Sequence, residues 1–462
     1  MIERTVTIGY LLGALTIAYY PARGRRATVY PEEVGLLGRW EAPTLALPAL
    51  IGTPALFLLA GAAVTGWQVI AILLLSSVAS ALILLPLLAE FQDQGHNPSF
   101  PLILGLRDGV SLLLAAGRFV VFAVLGGSLL AAALGFHPAL ASVLFVVTVG
   151  LMTLPVGRAA SARVDLLHAL LVAVAALCVL GAQARLPGAG MEVPDSVSAL
   201  QGSGLLFFFL AAILLSVWFW SDDAYIRAFR AGSVRVQGRG LRLSGAQLAL
   251  VIVLGPALVR ITPVAVQGGP VLFSDATAVV RAAVVLMALC GVLSGMSASL
   301  RAMLFAGAQL AGGARSGQGA EGQAEPLRAQ LAALAVLVAM LPIVQLAAKR
   351  PGAAAGLVAS MVAVLVPPVA AVRWTEVLRP GLSVWGCRFA LGIGLLLGCS
   401  HVIARYGLGT TPVFSSPVLT QWHLFVPISV AATAAGAVVY GHLSRLSLPR
   451  GLKQRGLGRV SR

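Results

Sequence analysis

The sequence predicts an all-α polytopic membrane protein of about thirteen transmembrane helices, on three observations. Hydrophobic residues make up 59% of the chain and charged residues only 10%, with a mean hydropathy of +0.94; in a soluble globule about a quarter of the residues are charged. Apolar runs of about 18 to 25 residues recur along the 462-residue chain, the length a helix rising about 1.5 Å per residue needs to cross about 30 Å of hydrocarbon. The basic residues fall mostly in short loops between these runs.

The spans are expected at residues 6–20, 44–64, 67–89, 110–134, 138–156, 164–184, 202–220, 246–261, 279–306, 327–347, 354–372, 385–404 and 424–442. The first run is followed by Pro-Ala-Arg-Gly-Arg-Arg and not by a small-residue cleavage site, so it reads as a retained helix and not a signal peptide. The second is interrupted by Pro48 and Pro54, with Gly52 and Thr53 between them. A proline inside a helix removes a backbone hydrogen bond, which either kinks the helix or frees carbonyl oxygens to face a cavity. Span 202–220 has no Gly or Pro at its centre, so any break there is mild.

The most informative run lies within span 279–306, where Gly291, Ser294, Gly295, Ala298 and Ala302 recur at spacings of three and four. One helical face is therefore small and partly hydroxylated. It reads either as a packing face through the Gly291/Gly295 pair or as a cation site, with Ser294 and carbonyls of a neighbouring broken helix as oxygen ligands. Residues 312–325, rich in Gly, Ala, Ser and Gln, read as a flexible cytoplasmic loop.

The net charge of +16 would suit nucleic acid only if the basic residues shared one exposed folded face. Their distribution sets sidedness instead, because positively charged loops are retained in the cytoplasm. With the first loop inside, the inner set holds Arg23, Arg25, Arg26, Arg39, Arg107, Arg158, Arg163, the run from Arg227 to Arg242, Arg315, Arg328, Arg373, Arg379, and the basic tail 444–462. The outer set is thinner: Arg4, Arg185, Arg260, Lys349, Arg350 and Arg405. The N-terminus is expected outside and the C-terminus inside. Cys178, Cys290, Cys387 and Cys399 all fall within spans and suggest neither a disulfide framework nor a zinc cluster.

Four stretches in this order resemble the sodium:solute symporter family. Tyr10, followed by the Arg23, Arg25 and Arg26 cluster, looks like that family's extra helix ahead of its transport core. Residues 91–109, FQDQGHNPSFPLILGLRDG, resemble its polar loop after the second core helix, with Arg107 at the usual Arg. RVDLLHALLV, residues 163–172, is similar to its Thr-Asp-x-x-Gln start of the fifth core helix, with Asp165 at the Asp and His168 in place of Gln. WFWSDDAYIRAFRAGSV, residues 218–234, is similar to its aromatic, polar, then Gln-Arg pattern; Trp218 and Arg227 match, and Ile226 replaces the Gln.

The resemblance implies a LeuT-like core of two five-helix inverted repeats, residues 44–184 and 202–372. Before it come an extra helix and basic loop (1–43), and after it further helices (381–443) and a basic cytoplasmic tail (444–462). It also implies a sodium site formed by carbonyls near Pro48 and Ile51, the carbonyl of Gly291, and the hydroxyl of Ser294. The family's second hydroxyl is lost at Gly295, and Ser297 stands where its Asp would be. The substrate pocket would lie between the two interrupted helices, at Thr53, Phe57, Ser216 and Trp218. Asp165 and Asp222 or Asp223, at inner helix ends, read either as solvated end charges or as groups that meet an ion released inward. Arg118 and Arg388 lie within spans and must be paired, snorkelling or holding a carboxylate.

The expected function is sodium-coupled symport of a small organic solute across a bacterial inner membrane by alternating access, with Na+ as the coupling ion and no nucleic-acid partner. The rivals are a proton-coupled carrier using Asp165 and His168, and a transporter-like sensor or assembly subunit whose partner membrane subunit supplies the output. An enzyme is not expected, because the 6 His and 16 acidic residues are scattered and not clustered at one face.

Overall fold

The computed structural model describes residues 2–19, 101–153, 278–312, 326–378, 384–406 and 416–446, with single helical positions between 164 and 178 and at 210. The named elements among them are all helices: α1 (Ile2–Tyr19), α2 (Pro101–Leu134), α3 (Pro138–Thr153), α4 (Ala278–Gly312), α5 (Pro326–Lys349), α6 (Pro351–Leu378), α7 (Val384–Tyr406), α8 (Pro417–Thr420) and α9 (Trp422–Leu446). The expected spans 44–64, 67–89, 202–220 and 246–261, and the question of two inverted repeats, fall mainly outside the described residues.

Proline opens five of these helices, at Pro101, Pro138, Pro326, Pro351 and Pro417. Its ring presets a helical φ, and its missing N–H is one that the first turn leaves unbonded in any case. The start of α2 corrects the sequence reading, which placed residues 101–109 in a polar loop; Pro101 begins the helix there. At the other end Gly135 takes a positive φ of 78°, and its N–H donates to the Ala131 carbonyl at 2.8 Å. Only a residue without Cβ adopts that conformation readily, so the chain turns at once into α3. The short α8 was not expected from the sequence.

Among the described residues, four stretches are long and apolar enough to cross a membrane: Leu112–Leu134, Val285–Leu304, Gly386–Ala404 and Leu424–Leu443. The chain is a multi-pass membrane protein. Large side chains such as Leu396 and Leu443 stay exposed on these helices, as suits a surface that faces hydrocarbon.

Among the described residues α2 is central. It packs most extensively on α4 and also on α3, while α1 lies against α4, α3 and α2, and α5 against α3. Phe119, Phe122, Phe145, Leu289, Leu293 and Met296 are among the buried side chains of this core. A second group, α7 and α9 with α6, has its own small core of Cys387, Ala390, Leu391 and Ala437. Water gives no hydrophobic drive between helices in lipid, so close backbone approach at small residues holds them. Gly127 shows this: a Cβ there would fall 2.5 Å from Ser142 Cα, so α2 and α3 meet nearly backbone to backbone.

Candidate functional site

The hydroxylated face of α4 is turned inward. Ser294 is 0% exposed, and Gly291, Ser297 and Ser299 are buried with it. Ser299 Oγ donates to the Gly295 carbonyl at 2.8 Å, so that carbonyl is tied within the helix.

Gly295 itself faces α2. A Cβ at this position would come within 2.5 to 2.8 Å of three atoms of the Phe122 ring. The hydroxyl that the resemblance sets here is thus replaced by an aromatic face. Two positions on, the Ser297 hydroxyl lies 3.3 Å from Thr153 Oγ1, the last residue of α3, which also lies 2.7 Å from the Val149 carbonyl.

These groups are hard oxygen donors of the kind that suits sodium. Serine hydroxyls and helix carbonyls fit the ion in chemistry. With Phe122 over position 295, a full shell of about five or six oxygens needs further ligands from outside α4. Pro48 and Ile51, expected to supply carbonyls, lie outside the described residues, as do Thr53, Phe57, Asp165, Ser216, Trp218 and Asp222. Of the expected ion and substrate residues the structure describes Gly291 and Ser294, on one helix one turn apart.

A second polar cluster joins α1 to the core. Tyr10 Oη lies 2.9 Å from His168 Nε2, with both residues buried. Cys290 of α4 is buried in the same core cluster as Tyr10. The two arginines separate as well: Arg118 is 6% exposed and Arg388 is exposed. An intramembrane guanidinium that is buried in protein marks a functional position more strongly than one that reaches the surface.

Sequence reasoning missed Thr153 and Phe122. Both sit in ordinary apolar runs, with nothing in local spacing to single them out. Tyr10 and His168 were each noticed, but their contact across 158 positions was not legible.

No protein-family model matches the chain, and no curated protein matches it. Among solved structures, a Na+-coupled sialic acid symporter in a substrate-bound, outward-open state aligns over 96% of this chain and 98% of its own, with a TM-score of 0.68 at 15% identity. The chain shares that symporter's fold. A manganese transporter of Eremococcus coleocola aligns over 90% of this chain and 97% of its own, with a TM-score of 0.45 at 12% identity. These structural neighbours are transporters and not enzymes.

Proposed function

We propose that the chain is a secondary active transporter that carries a small organic solute by alternating access, with Na+ as co-transported cargo. The carrying observation is the Ser294 hydroxyl, wholly buried on α4, within a fold shared end to end with a Na+-coupled symporter. Residues 44–184 and 202–372 form the inverted repeats in this reading, and residues 1–43, 381–443 and 444–462 surround them. The ion is held by Ser294, the Gly291 carbonyl and carbonyls near Pro48 and Ile51. The solute sits among Thr53, Phe57, Ser216 and Trp218, and Asp165 and Asp222 meet the ion as it leaves inward. Arg118, as a buried fixed cation, favours a solute bearing a carboxylate. The protein lies in a bacterial inner membrane with its N-terminus periplasmic.

The test is thermal unfolding of purified protein in sodium against matched potassium, with Ser294→Ala beside the wild type. Sodium-specific stabilisation that is lost in Ser294→Ala is the expected result, because a ligand bound only by the native state stabilises it by mass action. The rival reading, a transporter-like subunit with degenerate coupling, draws on Phe122 lying where the second hydroxyl would be. It expects equal unfolding in the two salts, and that outcome would sink the sodium reading.

A further inference from the structure

Arg388 lies at the start of the membrane-crossing stretch Gly386–Ala404 of α7, and its side chain is exposed. The crossing stretch of α9 ends beside it. A Cβ at Gly386 would fall 3.1 Å from Gly441 Cα, and the Phe389 ring stacks on Tyr440 with centroids 4.4 Å apart and planes 18° apart. Arg388 therefore stands at the boundary where α7 enters the bilayer and α9 leaves it, next to an aromatic pair of the kind that sits at head-group level. His442 of α9 is exposed at the same end, and the basic tail 444–462 follows it in sequence.

The α7 face that continues from Arg388 points away from the protein. Gly392 and Leu396, at steps of four residues along one helical face, are both exposed, Leu396 at 69%. Gly392 leaves a notch in this strip, since nothing lies within 4 Å of a Cβ added there. Beside it the seam with α9 is closed, because a Cβ at Gly436 would meet Ile393 Cδ1 at 2.7 Å. Snorkelling alone accounts for an arginine at the boundary. It does not account for the notch, because glycine is a poor helix former and no packing contact requires it here.

A cation with an aromatic rim at head-group level, above a hollow in an apolar strip, matches the two parts of an anionic phospholipid. A guanidinium holds a phosphate through paired N–H donors, and basic residues at the membrane surface attract anionic lipid. We propose that the lipid-facing side of α7 binds one anionic phospholipid, with its phosphate on Arg388 and an acyl chain lying over Gly392 against Leu396. This site is independent of sodium coupling.

The experiment is native mass spectrometry of the full chain in detergent, titrated with dioleoyl phosphatidylglycerol or dioleoyl phosphatidylcholine. Arg388→Gln, Arg388→Lys, Gly392→Leu and Arg4→Gln are compared with the wild type. The wild type is expected to retain one phosphatidylglycerol in preference to phosphatidylcholine. Arg388→Gln raises the half-saturating phosphatidylglycerol concentration about fivefold, the effect of one cation beside an anionic surface. Arg388→Lys keeps the charge without the paired donors and raises it about twofold. Gly392→Leu fills the notch and raises it about threefold, the effect of one buried methylene. Arg4→Gln, at another exposed arginine, stays near the wild type.

Wild-type retention of phosphatidylglycerol in Arg388→Gln would overturn the proposal. Equal losses in Arg388→Gln and Arg4→Gln would do so too, by reducing the effect to net charge. Competition by glycerol 3-phosphate as strong as that by the intact lipid would assign Arg388 to a free phosphate and not to a membrane lipid. Dimers that dissociate in Gly392→Leu, with lipid retained equally by all variants, would give the face to a second copy of the chain. Thermal unfolding in phosphatidylcholine separates binding from folding, and all variants are expected to match the wild type there. Early unfolding of Arg388→Gln in that lipid with unchanged phosphatidylglycerol retention would make the arginine a packing residue and overturn the site.

Discussion

The Phe122 ring covers the α-carbon of Gly295, so that a single added carbon at position 295 would stand 2.5 Å from the ring's tip. This contact joins α2 to α4 in the middle of the largest helix–helix interface of the core. It also explains why the hydroxylated face of α4 has a gap. Phe122 is itself among the largest fully buried side chains, so its ring has little room to turn away.

Restoring the missing hydroxyl by Gly295→Ser therefore overpacks the interface, and the expected cost is about 1–3 kcal/mol of stability. Pairing it with Phe122→Leu makes room for the side chain and recovers part of that loss. Unfolding of the two single variants and the double variant forms a cycle that isolates the coupling. Additive effects would mean that the ring and the glycine do not oppose each other. If the Ser294 site binds sodium, the double variant also gains sodium-specific stabilisation over Phe122→Leu alone.

Thr153→Val keeps the shape of the side chain and deletes its hydroxyl. The contact with Ser297 is lost without a cavity, for an expected cost of about 1 kcal/mol. That cost should be the same in sodium and potassium, in contrast to Ser294→Ala. Thermal unfolding in both salts checks this, and a loss confined to sodium would place Thr153 and Ser297 in the ion's own shell.

His401 makes a comparable structural tie in the second helix group. Its Nδ1 lies 2.5 Å from the Leu419 carbonyl of α8, and its ring stacks on Phe425 of α9 with centroids 4.4 Å apart. His401→Phe keeps the stack and removes the hydrogen bond, so about 1 kcal/mol is the expected loss. Hydrogen exchange should quicken at residues 417–421, which depend on that anchor, and not in α2 or α4. A uniform change across the chain would contradict the local role.

These sites show what was legible beforehand. Helix positions were readable wherever an apolar run of membrane length appeared, as in α7 and α9, because that signal is local and repeats along one segment. The small face from Gly291 to Ala302 was readable for the same reason. What lies opposite it was not: Phe122 and Gly295 are paired only by packing, and a helix face does not encode its partner. The start of α2 at Pro101 was missed because the polar residues ahead of it outweighed a proline that opens the helix.

The sharpest packing test lies between α7 and α9. A Cβ at Gly386 would fall 3.0 Å from the Ala437 carbonyl oxygen and 3.1 Å from Gly441 Cα, which are backbone atoms that cannot swing aside. Gly386→Leu must therefore push the two helices apart, with an expected loss of about 3 kcal/mol or somewhat less. Gly392→Leu on the same helix is the control, since nothing lies within 4 Å of its added carbon. Cys387 is fully buried in the small core beside this contact, so its alkylation should quicken in Gly386→Leu while Cys290 in the main core stays protected. Equal behaviour of the two glycine variants would show that α7 and α9 do not touch through Gly386. Simultaneous exposure of both cysteines would show that the second helix group does not loosen independently of the first.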